Sequence, residues 1–279
     1  MPLPNFLYIG PDKAGSSWLH EALIVHPEVY LSPAKDLYYF DRYYSRGHDW
    51  YGAQFKDAGS RHTVVGEICQ DYLASPEAAT RIAETLPDVK LMVTVRDPVD
   101  RAFSSWLYAR RFGIMSTSFA DSLRTVPELL DHSRYGEQLR RYRELFPAEQ
   151  VHVAVFDDLG KDPQIFLDDV TAFLGISRMR LTDETAGVRL PASEARMVAV
   201  AGAARRAANV IRVLDGANVV ARVKRSPLVQ RVLYRPLGDE RPEVSDEDAD
   251  YIRGQLESDI RLVEDDYGLD LRMRWGWVR

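Results

Sequence analysis

The stretch Tyr8-Ile9-Gly10-Pro11-Asp12-Lys13-Ala14-Gly15-Ser16-Ser17-Trp18-Leu19 constrains the fold of this chain most. Phe6 to Ile9 is an apolar run that suits a short buried strand, and Trp18, Leu19, Leu23 and Ile24 fall at helical spacing after it. Between them lies a Gly/Ser turn. A turn that feeds a helix N-terminus presents backbone N–H groups without intrahelical acceptors, together with the positive end of the helix dipole, so an anion is stabilised there. The stretch therefore reads as a phosphate cradle, with an ordinary strand-turn-helix corner and a solvated Lys13 as the alternative.

The position of the lysine separates two kinds of cradle. In the nucleotide-hydrolysing loop a Lys follows the last Gly, and a Ser or Thr comes next for magnesium. Here Lys13 stands two residues before Gly15, and no Gly-Lys-Ser or Gly-Lys-Thr lies near it. A second anion site is predicted where the continuous apolar strand Leu91 to Val95 ends in Arg96-Asp97-Pro98-Val99-Asp100-Arg101-Ala102-Phe103-Ser104. The planar guanidinium of Arg96 and the hydroxyl of Ser104 can converge on one phosphate. Arg101 is read as fixing the loop through the acids around it.

Together these motifs resemble the sulfotransferases that use 3′-phosphoadenosine 5′-phosphosulfate (PAPS) as donor. The first loop is similar to their 5′-phosphosulfate loop, and Arg96 with Ser104 is similar to their 3′-phosphate motif in its Arg-Asp-Pro-x-x-Arg-x-x-Ser form. The resemblance implies an α/β fold with a P-loop-like central parallel sheet flanked by helices and a helical C-terminal extension. It also implies PAPS, or its product 3′-phosphoadenosine 5′-phosphate (PAP), as cofactor, with no metal. Lys13, Ala14, Gly15, Ser16, Ser17, Trp18, Arg96 and Ser104 would hold it. Arg189 would join them from the 182–196 segment, where the family places a basic loop over the nucleotide; Arg196 is the other matching cation.

On the acceptor side, Ser32 to Phe40 is similar to the family's Pro-x-Lys-Glu-x-x-x-Phe segment, with Asp36 where Glu is usual. Lys35 would touch the sulfuryl group or the acceptor, with Tyr38, Tyr39 and Phe40 beside it, or else Lys35 is a surface lysine above aromatic packing. Glu67 ends the apolar strand Thr63 to Ile68, at the sheet edge where ligands of open α/β sheets sit. A carboxylate there can take a proton from an acceptor hydroxyl if burial holds its pKa near working pH. The stretch resembles the Glu-Lys-x-x-x-Tyr of the glycosaminoglycan sulfotransferases, whose Glu is the general base, with Tyr72 as the aromatic and Ile68 in place of the Lys. Lys13 would assist the transfer by stabilising the leaving phosphate. His20, three residues after Ser17, is the reserve base; a structural Glu67 accepting backbone hydrogen bonds is the alternative.

Further along, 112–130 reads as a weakly patterned insertion suited to a lid over the acceptor. A helix over 133–142, a strand over 151–156, a helix ending at Phe173-Leu174-Gly175 and a final helix from Ser245 to about Asp266 follow. The Trp275-Gly276-Trp277 stretch is expected to pack on the core, and the basic stretch 217–237 to lie along the domain.

At 279 residues and 46% hydrophobic content the chain can bury a large core. One domain, 1–279, is expected, with motifs in 5–176 and the cofactor-covering loop and helical part in 177–279. A formal charge of −6 disfavours nucleic acid and polyanionic sugars as partners. One cysteine, Cys69, excludes an internal disulfide and fits a reducing compartment. With no apolar run long enough to span a bilayer and no export signal, a cytoplasmic protein without stable membrane insertion is expected. A small-molecule acceptor is expected: a metabolite, glycoside or lipid headgroup carrying a hydroxyl or amine. Oligomeric state is not readable from these residues. The competing functions are a magnesium-dependent, kinase-like nucleotide-binding protein, which lacks its Gly-Lys-Ser/Thr here, and a non-catalytic nucleotide sensor.

Overall fold

The computed structural model describes residues 3–182, 193–195, 234–236 and 242–278. Five strands, β1 (Phe6–Gly10), β2 (Val29–Leu31), β3 (Val64–Ile68), β4 (Lys90–Val95) and β5 (Val151–Val155), form a wholly parallel sheet in the order β2-β3-β1-β4-β5. Every residue of β1 and β3 is buried, as expected of strands covered by helices on both faces. The chain builds one side of β1 first and then crosses to β4 and β5. The crevice at the end of β1 is thus a topological switch point, where such sheets bind ligands.

Side chains alternate between the two faces, as strand geometry requires. Phe6, Tyr8, Ile68 and Met92 pack with α1 (Ser16–Leu23) and α9 (Pro163–Leu174), where the ring of Trp18 meets Phe166 edge-on at 5.7 Å. Leu7, Ile9, Val65, Leu91 and Val93 face the opposite layer of α3 (Pro76–Thr85), α7 (Tyr135–Leu145) and α10 (Asp246–Tyr267). Helix α3 opens with Ser75 accepting the Ala78 N–H at 3.2 Å and Pro76 in its first turn, a start favoured by a capping hydroxyl followed by proline. Helix α7 lacks a cap of its own; instead Asp259 of α10 accepts the Gly136 and Glu137 N–H groups at 2.8 and 2.9 Å.

The 112–130 segment differs from the expected lid. Its helices α5 (Phe119–Thr125) and α6 (Glu128–Asp131) bury Phe119, Leu123, Leu129 and Leu130 against α4 (Pro98–Arg111) and α10. Four large apolar side chains within twelve residues hold this segment on the domain, a pattern hidden among its Ser and Thr residues. The tryptophans near the other end pack as expected: Trp275 joins the core and its indole donates to Asp157 at 3.1 Å.

Gly10 fixes the sharp exit from β1. Its φ of +134° disfavours L side chains, and a Cβ would lie 2.4 Å from the Gln70 carbonyl oxygen. Gly10→Ala is expected to cost about 2 kcal/mol or more, read as a fall of about 5 °C in Tm in a thermal melt.

Candidate active site

The loop from β1 into α1 is a built structure. Lys13 adopts a left-handed φ of 63°, and Gly15, at φ 89°, occupies the N-cap of α1. Glycine cannot cap with a side chain, and among the described residues no other side chain caps this helix, so its first-turn N–H groups have no side-chain partner there. Asp12 holds the loop down. Its buried carboxylate takes hydrogen bonds from Arg101 Nη1 at 2.8 Å, Ser105 Oγ at 3.0 Å and His132 Nδ1 at 3.3 Å. Burial pushes the Asp12 pKa up, but Arg101 and His132 outweigh it and hold the carboxyl well below the usual range.

Arg101 is fully buried and also donates to Ser133 Oγ and the Leu129 carbonyl, so it fixes the loop as its spacing implied. Removing it strands a buried carboxylate: Arg101→Met is expected to cost about 3–5 kcal/mol, checked by urea unfolding at pH 7. Asp12, with its depressed pKa, contributes stability above its ordinary value and loses it as pH falls. The deficit of the variant should therefore shrink in acid.

The two predicted anion motifs lie side by side. Arg96 Nη1 donates to the Lys13 carbonyl oxygen at 2.8 Å, its guanidinium lies 4.7 Å from the Phe156 ring centroid, and Tyr135 OH donates to the Arg96 carbonyl at 2.9 Å. Arg96 Nε is buried and has no hydrogen-bond partner among the described residues, a donor that an anion would satisfy. Ser104 lies partly buried on α4, one helical turn from the Asp100 carboxylate that pairs with Arg96 Nη2 at 3.5 Å. Lys35 reaches in from the 33–40 segment, donating to Ser16 Oγ at 2.8 Å and Ser17 Oγ at 3.1 Å. Lys13 rests its ammonium 3.5 Å from the Tyr108 ring centroid. Burial lowers its pKa to about 8, against the pull of Asp12 and with the added repulsion of Lys35 and Arg111. Positive charge gathered in a partly dry crevice of this kind can stabilise a polyanion.

On the other side of β1, Glu67 is fully buried. Its Oε1 accepts the Leu37 N–H at 3.1 Å and Tyr72 OH at 2.9 Å, and its Oε2 accepts Tyr51 OH at 2.8 Å. Burial pushes its pKa up to about 8 despite those three hydrogen bonds. The segment above it carries two further non-glycine residues in the left-handed region, Asp36 (φ 59°) and Tyr38 (φ 56°), the kind of strain that collects at functional sites.

Two residues expected at the acceptor are packed in the core of this structure. Tyr39 and Phe40 are fully buried: Tyr39 stacks on Tyr51 at 4.3 Å, Phe40 packs on Tyr51 and Tyr72, and the backbone N–H groups of both residues point at Tyr72 OH. Aromatic residues this large are drawn into the core that their own neighbours create. Tyr38 stays half-buried with the Arg42 guanidinium 4.0 Å from its ring centroid. The Trp18 indole is likewise packed away, only 6% exposed, so its backbone N–H is what it offers the loop. His20 is 3% exposed on α1 with Nδ1 3.5 Å from the Glu21 carboxylate. Arg189, Arg196 and most of 217–237 lie outside the described residues.

Sequence reasoning passed over Asp12, because an acid inside a phosphate loop reads as unfavourable, and Tyr51, because its hydroxyl is invisible within an aromatic run. The usable signal for Asp12 was the neighbouring Arg101, a cation in an acidic turn that required a partner.

A helix-flanked parallel sheet with a glycine-led helix at the end of β1 and an arginine at the end of β4 defines a P-loop-like α/β protein. The family model described as "Sulfotransferase family" matches residues 68–180 of the chain. The chain is 30% identical over 156 residues to the membrane-associated sulfotransferase kil1 of Dictyostelium discoideum, covering 51% of this chain and 33% of that protein. It is 33% identical over 195 residues to the human heparan sulfate glucosamine 3-O-sulfotransferase 3B1, covering 65% of this chain and 48% of the relative. The chain thus spans less than half the length of these relatives. A crystal structure of a sulfotransferase from Alicyclobacillus acidocaldarius superposes with a TM-score of 0.60 at 26% identity, covering 83% of this chain and all of that one.

Proposed function

We propose that this protein is an enzyme that moves a sulfuryl group from PAPS to a hydroxyl or amine of a small acceptor. The observation that carries this reading is the contact of Arg96 with the Lys13 carbonyl, which joins the two anion motifs into one cradle for a nucleotide phosphorylated at both ends. The orphaned Arg96 Nε and the uncapped α1 fit that ligand, since both are donors awaiting an anion. PAPS, when bound, supplies the sulfuryl group and a phosphate leaving group.

The chain's own groups then divide the work. The α1 N-terminus, Ser16, Ser17 and Lys13 bind the 5′ end, and Lys13 neutralises the charge that grows there. Lys35, already on the two serines, is within reach of the equatorial oxygens. Arg96 and Ser104 take the 3′-phosphate, with Arg189 as a further cation for the nucleotide. Glu67 takes the acceptor's proton on its carboxylate, a role that requires the 33–40 segment to give access to it. His20 is the reserve base. These groups work within one domain spanning 1–279.

The acceptor is a neutral metabolite, glycoside or lipid headgroup. Some relatives act on heparan sulfate by name, but this chain carries a formal charge of −6, has Ile68 after its Glu, and places Asp36 and Asp71 beside the same segment. A magnesium-dependent kinase-like reading lacks its Gly-Lys-Ser/Thr.

Calorimetric titration with PAP, with and without magnesium, tests the reading. Magnesium-independent micromolar binding is expected, and binding that requires magnesium would overturn it. Affinity should also fall as pH rises through about 8, where Lys13 loses its charge, at most tenfold per pH unit. Proton uptake on binding in that range, measured in two buffers of different ionisation enthalpy, checks the assignment.

A further inference from the structure

We infer that Tyr51 is the positioning residue of this site, a phenol that fixes the orientation of the Glu67 carboxyl and sets its hold on a proton; the inference rests on the sulfuryl-transfer reading above. The geometry singles it out. Tyr51 lies on α2 (Gly47–Ala53), away from every phosphate motif, yet it is fully buried and its hydroxyl donates to Glu67 Oε2 at 2.8 Å. Its ring is clamped by Tyr39, stacked at 4.3 Å and 8°, and by Phe40 and Phe55 edge-on at 5.1 Å each. The phenol is therefore held in one place, as an orienting donor must be.

Tyr72 differs. Its hydroxyl donates to Glu67 Oε1 at 2.9 Å but also accepts the Tyr39 N–H at 2.9 Å, so it ties down the 37–40 backbone as well as the carboxylate. Leu37, the third donor, belongs to that same segment. Leu37, one partner of Oε1, thus belongs to a segment that must move to admit an acceptor, whereas Tyr51, the partner of Oε2, stands on a separate helix with Phe55 at one edge of its ring and Tyr39 and Phe40 of the moving segment against the rest. When the 33–40 segment lifts, the carboxyl loses the Leu37 N–H, and the two phenols, Tyr51 on Oε2 and Tyr72 on Oε1, are the donors that stand outside that segment. The remaining titratable groups facing Glu67 are Asp36, whose charge raises its pKa, and the Cys69 thiol two residues along the chain. Among the described residues the groups that stabilise its charged form most are its three hydrogen-bond donors.

The test is the ionisation of Glu67 in the full chain, followed by the infrared absorption of its protonated carboxyl from pH 5 to 10 and assigned by loss of the band in Glu67→Gln. The band should titrate near pH 8 in the wild type. In Tyr51→Phe the midpoint should rise by about one unit, lowering the ionised fraction at pH 7 about tenfold, while PAP affinity stays within about twofold. Tyr39→Phe, which removes a hydroxyl bonded to His48 from the same ring stack, is the packing control and should leave the midpoint in place. An unmoved midpoint in Tyr51→Phe, an equal shift in Tyr39→Phe, or loss of PAP binding along with the shift would each overturn the assignment to Tyr51. Failure of the wild type to bind PAP at all would instead overturn the sulfuryl-transfer reading, and the catalytic meaning of Tyr51 with it.

Discussion

Lys13→Met should lower PAPS-dependent turnover by about 10²–10³-fold, the effect of removing one charge-stabilising donor from a preorganised site. The side chain stands on the loop whose N–H groups face the crevice, its main chain is gripped by Arg96, and burial with nearby Lys35 and Arg111 keeps its ammonium costly to hold without an anion. An anion at the loop repays that cost. The substitution should therefore weaken PAP as well as slow turnover, and it should abolish the fall in PAP affinity above pH 8. Calorimetry across pH 7 to 9.5 on both proteins reads all three, and a variant that keeps the alkaline fall would move that titration to another group.

The second large effect belongs to the carboxylate. Glu67→Gln should reduce turnover about 10²–10⁴-fold, the range for loss of a general base, with PAP affinity unchanged. The acceptor that gives the highest rate with labelled donor serves for the assay. In the wild type the basic form of Glu67 grows as pH rises toward 8 while Lys13 loses its charge through the same range, so turnover should climb through neutral pH, peak near 8 and fall above it. Stability runs the other way. A carboxyl whose folded pKa is raised from 4.5 makes the native state less stable as pH rises from the ordinary value through 8. Because Gln carries no charge, the variant should melt no lower than the wild type at pH 9. A variant that is both inactive and markedly less stable at pH 9 would assign Glu67 to structure alone.

Much of this site could be read without coordinates, for identifiable reasons. The cradle at Lys13 to Trp18 and the Arg96 motif follow strands whose continuous apolar runs are unmistakable, and β1, β3 and β4 are accordingly buried where expected. The cap at Ser75 and the role of Arg101 depend on short-range chemistry that a linear string preserves. What the string conceals is long-range. Tyr51 and Glu67 are sixteen residues apart and Asp12 and Arg101 eighty-nine, and only the sheet order brings them together. Tyr39 and Phe40 misled for a related reason: an aromatic run beside a lysine suits an acceptor surface and a core equally, and the deciding partner, Tyr51 on α2, comes later in the chain. The 112–130 insertion hid its apolar anchors because their partners are on α4 and α10.

The indole of Trp277 ends 3.4 Å from Asp97 Oδ2, beside the Trp275 ring, and Asp97 directly follows Arg96 while its other oxygen accepts the first-turn Val99 N–H of α4. That indole is an optical gauge already fitted to the crevice at the end of β4. Its emission, isolated from the other four tryptophans by difference against Trp277→Phe, should respond to Arg96 taking up a phosphate, giving a dye-free readout for ligand screening.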